Sequence, residues 1–143
     1  MSLEENKQTA VAFVKAAARG DVVGLAAVAA DDIAYTIMGT SSISGTRDKA
    51  GLLEVVGGLG QIVDGEITLH DMVLTAEDDR VSVEFTGSSR LIDGRPYSNT
   101  YHLLFVVRSG QVRSLHEHID TKYTDEALGP LMQAPAPAED ARR

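Results

Sequence analysis

The sequence contains no cysteine and no tryptophan, and only 5% of its 143 residues are aromatic. Without cysteine there are no disulfide bonds and no thiolate chemistry, as is usual for proteins of the reducing cytoplasm. The apolar runs, such as residues 103–107, are far too short to span a bilayer, and the charged first residues lack the apolar core of a signal peptide. We therefore expect a cytoplasmic protein without a membrane segment.

Positive charge is also scarce. The chain has 13 Lys and Arg residues scattered among 21 Asp and Glu residues, and its net charge is −8. Nucleic acids and anionic membranes are bound through clustered basic residues, so neither is an expected partner. The cluster Gly57, Gly58 and Gly60 lacks the strand-turn-helix setting and the lysine of a phosphate-binding loop.

The residues that are present suffice for one folded domain. Hydrophobic residues make up 43% of the chain, enough to bury a core, and the length is that of a single domain. We predict that this domain spans residues 1–132. Residues 133–143 are rich in Pro, Ala and charge, a composition that predicts a disordered tail.

The first part of the chain has helical periodicity. Ser2, Asp21 and Asp48 are predicted N-caps of three helices, the first over residues 4–19 and the second over residues 22–30. Two aspartates at positions 31 and 32 are expected to end the second helix. Alternating apolar residues at positions 33, 35 and 37 then predict a first strand.

From position 65 onward the apolar period changes to two. This pattern predicts strands over residues 66–75, 80–91, 97–107 and 111–123, and a short helix over 124–132 that Pro130 ends early. Helices followed by a meander of long strands indicate an α+β fold. We expect a cone-shaped, curved antiparallel sheet that wraps over the N-terminal helices and leaves a small-molecule pocket at its open mouth.

Two stretches of this sequence resemble a known family. AARGDVVGLAAVAADDIAYT and DGRPYSNTYHLLFVVRSGQVRSLHEHIDT are similar to the opening and to the closing hairpin of SnoaL-like members of the nuclear-transport-factor-two-like superfamily. The resemblance covers roughly residues 8–122 and implies the cystatin-like α+β barrel of that superfamily. Its members include ketosteroid isomerases, limonene epoxide hydrolase and polyketide cyclases, so the fold alone does not define an activity.

The catalytic residues of ketosteroid isomerase do not carry over. The resemblance places its tyrosine at Phe13, its aspartate base at Ile37, and its protonated aspartic acid near Tyr101 or Leu103. None of these side chains matches, so the isomerase triad is absent.

Limonene epoxide hydrolase matches in part. Its first-strand tyrosine corresponds to Tyr35 and its closing-strand aspartate to Glu117, which keeps the carboxylate. Its asparagine falls on Ile37, and its arginine and remaining aspartate fall near Glu84 and Thr86. Epoxide hydrolysis is therefore not the favoured reaction.

The family register also implies which side chains line the pocket. Alternate residues of a strand share a face, and the implied inward set comprises Leu115, Glu117 and Ile119, Asn99, Tyr101, Leu103 and Phe105, Glu84, Thr86 and Ser88, together with Tyr35, Ile37 and Phe13. Glu117 is the candidate proton-transfer group, because burial raises the pKa of a carboxyl group. The alternative is a buried structural glutamate held by Tyr101 or Asn99. Glu84 either shares a proton with Glu117 or is solvated at the rim.

The opposite face of the closing strand carries His116, His118 and Asp120. These residues are either half of a metal site or a polar outer face, and we expect no metal and no cofactor. The implied outward set of the neighbouring strands is apolar, and it comprises Val81, Val83, Phe85 and Val106. An apolar outer face predicts a homodimer.

The function expected from these observations is a cofactor-independent acid–base enzyme of isomerase, cyclase or hydrolase type that acts on a small apolar compound. The alternative is a non-catalytic binding or dimerisation module with the same fold.

Overall fold

The computed structural model describes residues 1–132 and shows helices packed on one face of a curved sheet. The elements are α1 (Leu3–Ala18), α2 (Val22–Val28), β1 (Ala29–Ile37), β2 (Gly45–Arg47), α3 (Lys49–Ile62), β3 (Val63–Glu77), β4 (Arg80–Leu91), β5 (Pro96–Arg108), β6 (Gln111–Ile119) and α4 (Thr121–Met132). None of these helices has the length and apolar character needed to cross a membrane.

The sheet has six strands in the order β2-β1-β6-β5-β4-β3. Strands β3 to β6 form an antiparallel meander, and β2 is antiparallel to β1. Strand β1 is parallel to β6, with Ile37 opposite Glu117. The predicted α+β fold is confirmed, and the parallel β1–β6 pair is what joins the N-terminal strand to the meander.

The helix starts follow the predicted caps. The side chains of Ser2, Asp21 and Asp48 each accept a hydrogen bond from the backbone N–H three residues later, at 3.1, 2.9 and 2.9 Å. These bonds satisfy amides that have no partner inside the helix.

Three predicted element ends were wrong. Helix α2 ends at Val28, because the next residues join β1, where Ala29 and Ala30 are buried and the two aspartates are exposed strand residues. Strand β6 ends at Ile119, since Asp120 accepts a hydrogen bond from the Tyr123 N–H at 3.1 Å and starts α4.

Helix α4 also runs past Pro130 instead of ending early. The proline is exposed and lies in the last turn, where it removes only one hydrogen bond from the helix. Residues 133–143, predicted as a disordered tail, lie outside the described residues.

The faces of β4 are the reverse of the prediction. Val81 and Val83 are fully buried, Phe85 is 8% exposed, and all three pack into the main core, whereas Glu84 is exposed on the outer face. Burying three large apolar side chains is favourable and burying an unpaired carboxylate is costly, so the apolar set takes the inner face.

The register between β4 and β5 requires the same result. Val83 pairs with Leu103, and Phe85 pairs with Tyr101. Directly paired residues of antiparallel strands share a face, so the inward Leu103 and Tyr101 place Val83 and Phe85 inward as well. The rings of Phe85 and Tyr101 stack with their centroids 4.7 Å apart.

The core has two parts. The larger lies between α1, α2, α3 and the inner face of the sheet, and in it Phe13 and Phe105 meet edge to face with centroids 5.3 Å apart. The smaller lies under α4, where Leu128 packs near Leu91 and Tyr97. Residues of both parts line one cavity.

Candidate active site

A cavity of about 410 Å³ lies between the helices and the inner face of the sheet. Its volume is in the range of small-molecule sites. Most of its lining is apolar and comes from α1, α3, α4 and the strands. The polar side chains in the lining are Tyr35, Arg47, Glu54, Tyr97, Tyr101, Glu117 and Thr124.

Glu117 and Tyr35 form a hydrogen-bonded pair in this lining. The parallel pairing of β6 with β1 brings the two residues together, and the Tyr35 hydroxyl donates to Glu117 Oε1 at 3.0 Å. Tyr35 is only 3% exposed. Glu117 is half-buried because it borders the hollow, and its other neighbours in the lining include the apolar side chains of Ile37 and Ile119.

Burial raises the pKa of Glu117 from its ordinary value of 4.5 to about 7. The hydrogen bond from Tyr35 and the positive charge of Arg47 act in the opposite direction and only partly offset the burial. Near neutral pH the carboxyl group therefore exists in both forms, and it can accept a proton or donate one.

The two tyrosines near Glu117 keep their protons. Burial raises the pKa of Tyr35 well above its usual value, and the negative charge of Glu117 raises it further. Burial likewise raises the pKa of Tyr101. At neutral pH both phenols are thus hydrogen-bond donors, one already engaged with the carboxylate.

Arg47 enters the cavity from β2, where it pairs with Tyr35 across the strand register. The sequence reasoning missed this residue, because it predicted no helix or strand between the first strand and the helix capped by Asp48. Strand β2 has only three residues, too few for a periodic pattern. The glycine and threonine before the arginine gave no further signal.

Asn99 belongs to a buried hydrogen-bond network beside the cavity. Its Nδ2 donates to Tyr97 Oη and to Thr124 Oγ1, both at 2.9 Å, and its Oδ1 accepts from the Asp120 N–H at 3.1 Å. Because both ends of the amide are used, Asn99 ties α4 to the sheet and does not offer itself to a ligand. Tyr97 and Thr124, which sequence reasoning also missed, line the cavity instead.

The family of the chain follows from comparison with known domains. A family model described as a SnoaL-like domain matches residues 10–115. The chain belongs to the SnoaL-like family. A crystal structure of an NTF2-like protein from Burkholderia xenovorans is 32% identical, covers 89% of this chain and 98% of that chain, and superposes with a TM-score of 0.73.

More distant structures share the fold of this SnoaL-like protein. A proposed polyketide cyclase from Xanthomonas campestris is 20% identical, with a TM-score of 0.69 over 81% of this chain and 90% of that chain. A proposed isomerase from Bacillus subtilis is 17% identical, with a TM-score of 0.77 over 90% and 96%. A search of curated protein sequences finds no match.

Most of the predicted pocket residues of the SnoaL-like protein lie in the cavity lining. They are Phe13, Tyr35, Ile37, Tyr101, Leu103, Glu117 and Ile119. Leu115 does not reach the cavity, because it is fully buried in the core opposite Phe105. Asn99 does not line the cavity, and its amide is hydrogen-bonded in the network described above. Glu84 lies on the outer face, so it cannot share a proton with Glu117 across the sheet.

The histidines of the SnoaL-like protein lie outside the cavity. His116, His118 and Asp120 are exposed, and no group of three or more metal-ligating side chains is found within residues 1–132. Sequence reasoning overlooked His102, which pairs with His118 on the outer face with ring centroids 6.0 Å apart. The His102 Nε2 lies 2.7 Å from Ser82 Oγ.

Proposed function

We propose that this SnoaL-like protein is a cofactor-independent acid–base enzyme that acts on a small, largely apolar compound. The observation that carries the proposal is the position of Glu117, a carboxyl group with a pKa of about 7 on the wall of an apolar cavity. A group that titrates near the working pH is the most effective proton-transfer catalyst.

The roles of the neighbouring groups follow from their protonation. Glu117 in its ionised form accepts a proton from the bound compound and returns it at another position. Tyr35 holds the carboxylate in place through the 3.0 Å hydrogen bond. Tyr101 remains a phenol and supplies a donor to a substrate oxygen, while the apolar wall excludes water. Isomerisation consists of such a proton transfer. An aldol-type ring closure begins with the same deprotonation, after which the carbanion attacks a carbonyl carbon of the same molecule and the carbonyl oxygen takes up the proton.

Structures of the same fold support this reaction class. Relatives proposed as an isomerase and as a polyketide cyclase share the architecture. Both activities need an acid–base group and an apolar pocket more than a cofactor. The carboxylate of this chain carries the proposal, because identities of 17–20% show the fold alone.

The test is proton exchange in heavy water. A library of small apolar ketones, enones and acids is incubated with the protein in D₂O, and deuterium incorporation and product formation are followed by NMR. We expect at least one compound to exchange or convert, and Glu117→Gln to lower that rate by about 10²–10⁴-fold. Glu84→Gln, which neutralises a carboxylate on the outer face, is the control and should retain the rate.

Two results would contradict the proposal. One is a Glu117→Gln variant that turns over an identified substrate at the wild-type rate. The other is a compound that binds in the cavity and is recovered without exchange or conversion, which would favour the binding module instead.

A further inference from the structure

We propose that the substrate or ligand of this cavity carries a carboxylate, and that Arg47 binds it while the apolar lining holds the rest of the molecule. The inference deepens the proposed function and rests on it only for the location of the site. No residue of the acid–base mechanism above requires an anionic ligand, so the two can fail separately.

The position of Arg47 is the first argument. In the antiparallel β1–β2 pair Arg47 is opposite Tyr35, and directly paired residues share a face. Both side chains line the cavity, and so does Glu117. Arg47 thus lies on the same part of the cavity wall as the Tyr35–Glu117 pair, and its positive charge acts on Glu117.

The second argument is that the guanidinium is largely unused. Its one hydrogen bond within residues 1–132 runs from Nη1 to the Gly45 carbonyl at a long 3.5 Å. It forms no ion pair within 4.0 Å with any of the residues 1–132, including Glu54 and Glu117, the two carboxylates of the lining. A guanidinium has five N–H donors in a planar fork, so most of them are available to a ligand.

The third argument is that the chain makes room for this arginine. A Cβ added at Gly51 in the first turn of α3 would lie 2.8 Å from Arg47 Cβ and 3.2 Å from its Cγ. Glycine at this position therefore lets the helix pack directly on the stem of Arg47. The packing limits the freedom of this side chain, which is one of those that line the cavity.

The chemistry of the donor set selects the ligand class. A half-buried arginine that has no ion pair within 4.0 Å among residues 1–132 favours a ligand that brings a fixed negative charge. The planar fork matches a carboxylate, which can accept two parallel N–H bonds. The apolar walls exclude heavily charged ligands such as diphosphates. The expected ligand is therefore an apolar monocarboxylate.

The experiment compares acids with their uncharged amides. Octanoate, phenylacetate, cinnamate and 1-naphthylacetate are each titrated against the corresponding amide by calorimetry at pH 6.0. We expect at least one acid to bind the wild-type protein about tenfold or more tightly than its amide. Arg47→Gln should abolish this preference by weakening the acid alone, and the affinity for the amide should stay within about twofold.

Matched variants make the result specific. Arg108→Gln removes the same charge from an exposed arginine that pairs with Asp79 outside the cavity, and it should keep the preference. Arg47→Lys retains the charge without the fork and should keep part of it. Circular dichroism establishes that each variant is folded. Glu117→Gln should also keep the preference, so loss of catalysis and loss of acid binding are read separately.

The proposal is overturned if none of the four acids binds more tightly than its amide, and the absence of binding by every acid counts as that result. Retention of the full preference by Arg47→Gln, or its equal loss in Arg108→Gln, would overturn it as well.

Discussion

Glu117 links the chemistry of the cavity to the stability of the fold. In the folded protein its pKa is about 7, against an ordinary value of 4.5. Between these two pH values the folded protein binds more protons than the unfolded chain, so the free energy of unfolding falls as the pH rises through this window. The full shift corresponds to roughly 3 kcal/mol. The protein is thus less stable when Glu117 is ionised, the form that acts as a base, than when Glu117 is protonated.

The first prediction concerns Glu117→Gln, which removes this titration. From pH 5 to pH 8 the unfolding free energy of the wild type should fall by roughly 2–3 kcal/mol relative to that of the variant, because only the wild type loses stability when residue 117 ionises. Urea unfolding at the two pH values measures the difference. Glu84→Gln is the control and should track the wild type. Parallel pH profiles of the wild type and Glu117→Gln would show that the carboxyl group is not held protonated by burial.

The second prediction concerns Tyr35→Phe. The variant removes the hydrogen bond that lowers the pKa of Glu117, so the pKa should rise above 7 by roughly one unit. Carbon-13 NMR titration of the glutamate carboxyl groups measures it. Tyr123→Phe is the control. It removes a hydroxyl that accepts a hydrogen bond from the Ser98 N–H and does not contact Glu117. A pKa that stays at the wild-type value in Tyr35→Phe would mean that the phenol does not stabilise the ionised form.

Among the helices, α3 contains four glycines, at positions 51, 57, 58 and 60. Glycine inside a helix costs roughly 0.5–1 kcal/mol relative to alanine. At Gly58 an added Cβ would meet nothing within 4 Å, whereas at Gly51 it would meet the stem of Arg47 at 2.8 Å. Of these two glycines, only Gly51 lies where an added Cβ would meet a neighbouring side chain.

The third prediction uses these two positions as a pair. Gly58→Ala should stabilise the protein by roughly 0.5–1 kcal/mol, since it gains helix propensity without a clash. Gly51→Ala should gain nothing or lose stability, because Arg47 must move. Urea unfolding measures both. If both variants are stabilised equally, the close packing of α3 on Arg47 is absent, and the argument for a held guanidinium weakens with it.

Helix α4 depends on the network around Asn99. Thr124 is 1% exposed, accepts from Asn99 and donates to the Asp120 carbonyl at 3.0 Å. Leu128 and Met132 of the same helix line the cavity. The hydrogen bonds of one threonine therefore help to hold a wall of the candidate site against the sheet.

The fourth prediction tests this tie. Thr124→Val keeps the shape and removes the hydroxyl, which should destabilise the protein by roughly 1–3 kcal/mol, because Asn99 loses one of its acceptors. Hydrogen exchange of the α4 amides should accelerate more than that of β4 and β5. Thr100→Val, an exposed change on the outer face of β5, is the control. Equal acceleration throughout the chain would show a global effect rather than a local release of α4.

The elements that could be predicted are those whose signals are local. The caps at Ser2, Asp21 and Asp48 and the bounds of β4 can be read from neighbouring residues. The parallel pairing of β1 with β6 joins residues about 80 positions apart, and no local pattern records it. The facing of β4 was taken from the family register, although its own apolar alternation points to the arrangement that the structure has.

The candidate site divides in the same way. Glu117 was selected because the family register turns it inward, and strand alternation then places it on the same face as Leu115 and Ile119. The position of Arg47 depends on the three-residue strand β2 and on its contact with Gly51 of α3. This contact exists only in the folded protein and leaves no pattern in the sequence. The residues missed are those defined by tertiary contact.

Reversal of β4 also changes the argument for a dimer. The outer face of the sheet does not carry the apolar residues Val81, Val83 and Phe85, and no described helix covers it. Its exposed or half-buried side chains are mostly polar and include Ser82, Glu84, Thr86, Thr100, His102, Leu104, Val106, His116 and His118. A two-fold contact across this face would resemble the more polar interfaces of non-obligate complexes more than a divided core.

The fifth prediction is that two copies of the chain associate through this face. Leu104 lies between Ser82 and His116 on the outer surface of the central strands. A two-fold axis there brings each substitution into the interface twice, so Leu104→Glu should give a monomer of 15.3 kDa, while the wild type sediments at twice that mass. Val23→Glu, the same kind of change at an 80% exposed site on α2, should leave the dimer intact. A wild-type protein that sediments as a monomer at micromolar concentration would contradict the dimer, and dissociation by Val23→Glu alone would place the interface on the helical side of the molecule.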